Sequence, residues 1–342
     1  MFPARPSVAA MRLVDDLGLL ALPEDLRRVE EALHAAVKVD DRFLGDVASH
    51  LLGAGGKRLR PTLTLCAAYA VTGDSLYEGE GAGRDVSRPV TGGASVELVH
   101  LGSLYHDDVI DEAETRRGVP SVNARWSNIV AILSGDFLLA QASALAASLG
   151  ADVAGLLAAT IGELCRGQVL ELQYLFNSER TEESYFSAIE GKTASLLATA
   201  ARIGGMVSDA TAPALDALTR FGHHLGMCFQ IVDDVLDVTR TEAELGKPVG
   251  NDLLEGVYTL PVIYAVRASS ELGDLLGRAL DPDRLEQARA LVATDEVVEA
   301  SMAVARTHAT KATEALAGTD DLDPVVCGRL AALVDGLVIR KS

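Results

Sequence analysis

The chain has 342 residues, 49% of them hydrophobic and only 4% aromatic, with a formal net charge of −19. Such a charge excludes a nucleic-acid partner, because a phosphate backbone is bound by clustered Lys and Arg, and any anionic substrate must find local cations. No Pro/Ser/Gly-rich linker divides the sequence, no amino-terminal signal pattern is present, and no uninterrupted apolar run reaches about 18 residues, so one cytoplasmic domain over 1–342 with no transmembrane segment is expected.

Residues 1–22 are expected to be loosely ordered. Pro23 to Gly53 reads as a helix, with Leu26, Val29, Leu33, Val37, Phe43, Val47 and Leu51 spaced for one buried face and Gly53 past its end. The stretch Gly53 to Pro61 then gathers Lys57, Arg58 and Arg60 among glycines in a chain that is otherwise acidic. Glycines let backbone N–H groups approach a phosphate, and the three cations supply the charge. Read locally, a flexible connector with solvated cations fits as well. Pro61 opens a core helix to Val71, and Gly73 to Gly93, rich in Gly, Ser and acidic residues, reads as an exposed loop.

Ala94 to Asp111 is a helix with Leu98, Leu101 and Tyr105 at helical spacing, ending in His106-Asp107-Asp108-Val109-Ile110-Asp111. Carboxylates at a helix carboxyl end face the negative end of the dipole and need a cation. Asp107 and Asp111, four residues and about 6 Å apart along the axis, share a face. Asp108 points about 100° away, as an orienting partner or a ligand to another ion. Oxygen ligands of this kind suit Mg2+, which shares its remaining positions with water and substrate phosphates. Arg116 and Arg117 follow directly, and cations beside the acidic cluster fit a diphosphate held between them.

Asn123 to Leu149 and Ala151 to Phe176 read as two long helices with broad apolar faces, interrupted by Asp136, Gln168 and Glu171. In Thr181 to Gly205, the run Glu190-Gly191-Lys192-Thr193-Ala194 predicts a helix kink that exposes carbonyls, with Lys192 placed for a phosphate and the Thr193 hydroxyl for a cation. A surface lysine beside a helix irregularity explains the same residues. Pro213 to Val238 carries a second acidic copy, Asp233-Asp234-Val235-Leu236-Asp237, preceded by Phe229-Gln230. One such cluster arises by chance far more easily than two. A loop from Thr239 to Asp252 holds Lys247 between turn formers, a further phosphate cation on a candidate lid. From Leu260 onward the chain is helical with solvated charges. The four cysteines, Cys66, Cys165, Cys228 and Cys327, are expected as buried free thiols.

Two acidic helix ends, spaced cations and an apolar helical interior imply a diphosphate attached to a hydrocarbon tail. The sequence resembles the trans-polyprenyl diphosphate synthases from about Leu51 to Asp252, through GGKRLRP, HDDVIDEAETRRG, GKTA, FQIVDDVLD and GKPVGND in that order. The resemblance implies an all-α isoprenoid synthase fold around a deep apolar cavity, a homodimer, and a reaction joining isopentenyl diphosphate to an allylic diphosphate. It further implies three Mg2+ held by Asp107, Asp111 and Asp233, with Asp108, Asp234 and Asp237 as further ligands or their supports. Arg116, Lys192 and Lys247 then contact the allylic diphosphate. Lys57, Arg60, His100 and Arg117 hold isopentenyl diphosphate, with Arg58 alongside. Thr193 and Gln230 shelter the allylic cation. Gly102 and Ser103 stand where short-chain members of the family place aromatic side chains, and their small size implies a product longer than farnesyl. Tyr105 is placed to narrow the upper cavity. A class I terpene cyclase shares the fold and the first motif, but an Asn/Asp-Ser/Thr-Glu triad would usually replace Asp233 to Asp237 there. A phosphohydrolase built on the His106-Asp107 doublet leaves the second motif without a role. A non-catalytic subunit would have degraded motifs.

Overall fold

The computed structural model describes residues 16–73, 85–240 and 250–339. Apart from the two-residue strands Thr115–Arg116 and Val119–Pro120, its regular elements are helical. Among them are α1 (Leu22–Ala36), α2 (Leu59–Thr72), α3 (Ser87–Ile110), α4 (Asn128–Leu149), α5 (Ala151–Gln173), α6 (Glu182–Ile189), α7 (Ser195–Met206), α8 (Ala212–Thr239), α9 (Leu260–Ala268), α10 (Asp295–Ala317) and α11 (Pro324–Ile339). The chain groups into two compact units, one drawn from Met1–Ile161, Leu196–Gly222 and Ala315–Leu333, the other from Gly162–Ser195, His223–Glu314 and Val334–Ser342.

In the first unit α3 packs against α1, α2 and α4. Leu98, Val99, Leu101 and Tyr105 are fully buried on it. The helix begins at Ser87, so residues 87–93 are not the exposed loop that their glycines suggested. Those glycines serve packing. A Cβ on Gly93 would lie 3.3 Å from Pro61 Cα, and one on Gly92 would lie 2.7 Å from the Ile203 methyl. Pro89 sits in the first helical turn, where a missing N–H leaves no bond unmade.

The helix expected over Pro23 to Gly53 is broken. It ends at Ala36 and restarts as Arg42–Ala48, because Asp41 caps the new amino end by accepting from Leu44 N–H at 3.0 Å. Phe43, placed on the buried face by periodicity, is 55% exposed. Residues 16–22, expected to be loose, instead bury Leu17, Leu19 and Leu22. Tyr105 is packed inside rather than open to a cavity, its hydroxyl donating to Val47 O at 2.8 Å. Cys66 and Cys228 are buried as expected, whereas Cys165 is exposed.

The second unit has its own core, in which Val238, Leu253, Tyr258, Val262, Leu272, Leu276 and Val292 pack together. Between α6 and α7, Glu190–Ala194 forms one π-helical turn. The predicted irregularity is therefore present, and its cause lies in the neighbouring helix. A Cβ on Gly191 would lie 2.7 Å from Glu163 O, and one on Gly167 would lie 2.4 Å from Lys192 N, so α5 and the π-turn meet backbone to backbone.

Helices α4 and α5 are long and apolar enough to cross a membrane by length and composition alone. Counting uninterrupted runs passed over them because of residues such as Asp136 and Glu163.

Backbone contact makes some glycines irreplaceable and leaves others free. A Cβ on Gly204 would fall 2.2 Å from Thr64 O, whereas one on exposed Gly328 in α11 meets nothing within 4 Å. Gly204→Ala is therefore expected to lose about 1–3 kcal/mol through overpacking, and Gly328→Ala to gain about 0.5–1 kcal/mol by helix propensity. Urea unfolding of the two variants measures both signs.

Candidate active site

Asp107 lies in the last turn of α3 and Asp111 caps it, Asp111 N–H donating to Asp107 O at 2.8 Å. Asp107 is half-buried and Asp111 exposed. Asp108 turns inward and is fully buried, where Arg116 Nε donates to its Oδ1 at 2.6 Å while Oδ2 has no hydrogen-bond partner. Burial pushes the Asp108 carboxyl above the usual carboxylate range, with Arg116 pulling against it. The inward side chain supports its neighbours and holds Arg116.

Arg116 is delivered by the tight hairpin of the two short strands, whose turn residues Arg117 and Gly118 both have positive φ, 55° and 76°. Such a turn matches strand twist and favours Gly at its second position. It sends the two arginines to different places. Arg116 goes to Asp108, while Arg117 donates to the carbonyls of Leu51, at 3.3 Å, and Gly55.

Around that glycine-rich segment the cations divide by role. Lys57 is exposed and Arg58 is buried, with a left-handed backbone at φ 50°. The Arg58 guanidinium donates to Glu97 Oε1 at 3.0 Å and to both oxygens of Glu30. Arg58, expected near substrate, is thus consumed by internal carboxylates. The reason is steric as well as electrostatic, since a Cβ on Gly56 would lie 2.9 Å from guanidinium nitrogens of both Arg58 and Arg117. Arg60 has a buried Nε with no hydrogen-bond partner, and burial pushes its guanidinium down to about 10, still protonated at neutral pH. His100 is held well below the usual imidazole value, first by burial and then by Arg60, Arg117, Arg58 and Arg116, so it is neutral. Arg60, His100 and Arg117 form a desolvated basic corner that an anion would relieve, with exposed Lys57 on the loop beside it.

In the second unit, Asp233 is exposed and Asp234 is 3% exposed. Tyr185 Oη donates to Asp234 Oδ2 at 2.5 Å, and Gln230 Nε2 donates to Oδ1 at 2.8 Å. Thr193 Oγ1 donates to Gln230 Oε1 at 2.7 Å. Burial raises the Asp234 carboxyl to about 7 against both hydrogen bonds. Lys192 Nζ lies 2.5 Å from Glu171 Oε1. The Gly191 carbonyl, expected to be free, accepts from Ser195 Oγ at 2.6 Å. Asp237 is buried, and its carbonyl accepts from Gly250 N–H at 3.0 Å. Lys247 lies outside the described residues.

Each motif therefore has a more exposed first aspartate and a buried second one that accepts from a protein donor, on one oxygen in Asp108 and on both in Asp234. Among the described residues no three His, Cys, Asp or Glu side chains form a metal cage. Exposed Asp233, and Asp107 with Asp111 at a helix carboxyl end, fit a hard cation that takes few protein oxygens and completes its shell with water and phosphate.

Residues 41–295 match the family model described as polyprenyl synthetase. The chain belongs to the polyprenyl synthetase family. It is 38% identical to the nonaprenyl diphosphate synthase of Mycobacterium tuberculosis, over 98% of both chains, and 39% identical to component 2 of the heptaprenyl diphosphate synthase of Geobacillus stearothermophilus, over 94% of this chain and 92% of that one. A polyprenyl synthase from Caulobacter crescentus solved with calcium and isoprenyl diphosphate superposes with a TM-score of 0.86 at 30% identity, covering 99% of this chain and 100% of that one. The isoprenoid synthase fold expected of an all-α member of this family is the one observed.

Other residues of this synthase take places that the sequence did not indicate. Gly102, expected to leave room for a growing tail, faces α4, where a Cβ would lie 3.0 Å from Gly135 O and 3.2 Å from the Leu139 side chain. Its small size is required by helix contact. Ser103 is half-buried and donates to His100 O at 2.9 Å. His106, the histidine of the HD doublet, faces α4, with Nε2 3.2 Å from Ile132 O and 3.4 Å from Asp136. Glu30, Glu97 and Tyr185 were missed, and Glu171, noted as a polar interruption of its helix, was not linked to Lys192. Glu97 carried a signal, since it is a lone acid in a buried helix one turn before His100.

Removing Arg58 strands Glu97, which is 1% exposed. Arg58→Leu is expected to destabilise the synthase by about 3–5 kcal/mol, as for a broken buried pair, while Lys57→Ala on the surface shifts stability by less than about 0.5 kcal/mol. Chemical denaturation of both variants checks the division of roles.

Proposed function

We propose that this synthase condenses isopentenyl diphosphate with an allylic diphosphate to give a trans-polyprenyl diphosphate longer than farnesyl, in the heptaprenyl to nonaprenyl range of the relatives compared above. The observation that carries the reading is the repeated arrangement of outward and inward aspartates, together with a desolvated basic corner. Lys57, Arg60 and Arg117 hold the isopentenyl diphosphate, and neutral His100 donates a hydrogen bond to it. Arg116 and Lys192, kept in place by Asp108 and Glu171, contact the allylic diphosphate.

Asp107, Asp111 and Asp233 would hold Mg2+, three ions by the family resemblance, which supplies charge to the departing diphosphate. The C1–O bond of the allylic diphosphate breaks with both electrons leaving on oxygen. Thr193 and Gln230 present oxygen dipoles to the carbon left electron-poor. The isopentenyl double bond attacks C1, and a diphosphate oxygen takes the proton lost in forming the new double bond. No protein nucleophile is needed.

Incubation with isopentenyl and farnesyl diphosphates and Mg2+ is expected to give products longer than farnesyl. Chelation should abolish them, and Asp107→Ala or Asp233→Ala should lower kcat by about 10²–10³. Release at farnesyl, phosphate release without isopentenyl diphosphate, or a cyclised hydrocarbon would overturn the reading.

A homodimer is part of the same proposal. Helix α4 leaves Ile129, Ile132 and Leu133 at 70%, 43% and 62% exposure, an apolar stripe that a second copy would cover. Light scattering is expected to give about twice the 35.9 kDa chain mass, and Leu133→Glu to give the single mass. A monomer in the wild type would overturn the homodimer.

A further inference from the structure

The chain of hydrogen bonds in the second unit runs in one direction, and that direction has a chemical consequence. Both side-chain oxygens of Asp234 are acceptors in this arrangement. Asp234 therefore takes a hydrogen from Tyr185 Oη at 2.5 Å and another from Gln230 Nε2 at 2.8 Å. With its amide hydrogens turned toward Asp234, Gln230 must present its oxygen at the other end, and that oxygen accepts the only hydroxyl hydrogen of Thr193 at 2.7 Å. What remains between Thr193 and Gln230 is oxygen lone pairs on the Thr193 hydroxyl and the Gln230 carbonyl, with the second amide hydrogen of Gln230 on the nitrogen that faces Asp234.

The chain is rigid. Asp234 is 3%, Tyr185 1% and Thr193 8% exposed. Gln230 and Asp234 are one helical turn apart on α8, and Arg180 lies 5.7 Å from the Tyr185 ring centre, fixing the ring from one face.

We propose that Tyr185 and Asp234 are positioning residues that set the polarity of the Gln230–Thr193 pair, so that acceptor oxygens, not hydrogens, face the electron-poor allylic carbon. The proposal rests on the roles given to Thr193 and Gln230 under Proposed function. It separates Asp234 from the ligand role suggested by its place in an aspartate motif. In Asp234→Asn one carboxylate oxygen becomes an NH2 group, which must donate. With the remaining carbonyl oxygen held toward the Tyr185 hydroxyl, that NH2 faces Gln230, which then turns its oxygen toward residue 234 and its NH2 toward Thr193, reversing the dipoles at the carbon.

The test compares Asp234→Asn, Tyr185→Phe, Thr193→Val and Gln230→Leu, with thermal melting to verify folding. Asp234→Asn is expected to lower kcat about 10²–10³-fold and Tyr185→Phe about tenfold, with the KM for isopentenyl diphosphate and the Mg2+ concentration at half-maximal rate unchanged. Without Mg2+ or substrate, the side-chain amide resonances of Gln230, assigned by their loss in Gln230→Leu, are expected to be protected from exchange in the wild type and to shift in Asp234→Asn. A tenfold rise in the Mg2+ requirement of Asp234→Asn would make Asp234 a ligand and overturn the proposal. Full activity of Tyr185→Phe and unshifted Gln230 amide resonances in Asp234→Asn, while Thr193→Val and Gln230→Leu are crippled, would overturn it too and leave the functional reading standing. Wild-type rates in Thr193→Val and Gln230→Leu would instead remove the roles on which it rests.

Discussion

The arrangement on which the site depends is the burial of a carboxylate that is satisfied from within the protein. A buried ionised carboxylate without partners is prohibitive, so Asp108 requires Arg116, and Asp234 requires Tyr185 and Gln230. Each of those bonds has a second effect. Satisfying Asp108 fixes the cation expected to meet the allylic diphosphate, and satisfying Asp234 fixes the amide expected to face its carbon. The neighbouring aspartates, Asp107 and Asp233, are thereby left as the outward oxygens of their motifs. Two adjacent Asp residues are not two copies of one function. The helical turn between them gives one to the interior and the other to the ligand.

The basic corner follows the same logic with signs reversed. Arg58, Arg60, Arg116 and Arg117 gather beside the buried or half-buried acids Glu30, Glu97 and Asp108. Arg58 takes up Glu30 and most of Glu97. Arg60 and Arg117 are left with guanidinium groups that burial weakens, and His100 is kept neutral by the positive field around it. The local cationic surplus in a chain of net charge −19 is maintained because these groups sit on elements that cannot separate. The loop carrying Arg58 is pressed against Arg117 at Gly56, and α3 meets α2 and α4 at glycines. Small residues do more here than permit turns, since they set helix spacing and hence the reach of each charged side chain.

Much of the site was legible locally. The acidic helix ends, the GGKRLRP cations and the irregular turn at Gly191 were found from residue type and spacing and lie on the elements expected for them, whereas the pairing of Thr193 with Gln230 came from the family resemblance. The misreadings among the glycines share one cause. Gly92 and Gly93 read as loop and Gly102 as open space, because a glycine that permits a turn and one that permits a helix contact are identical in sequence. Likewise Arg58 read as a substrate cation, since nothing near it in the chain reveals partners 28 and 39 residues away.

The sequence by itself determined that this chain is helical, that it places clustered carboxylates at two helix ends, and that it gathers cations within an otherwise acidic chain. Those properties follow from periodicity, the helix dipole and charge, which act over a turn or two of chain. Only the tertiary structure decided which carboxylate of each motif is buried, which arginine is spent on the protein's own acids, and which way the Gln230 amide points. Each of these is settled by what a side chain meets across a helix interface, and burial makes those pairings energetically binding.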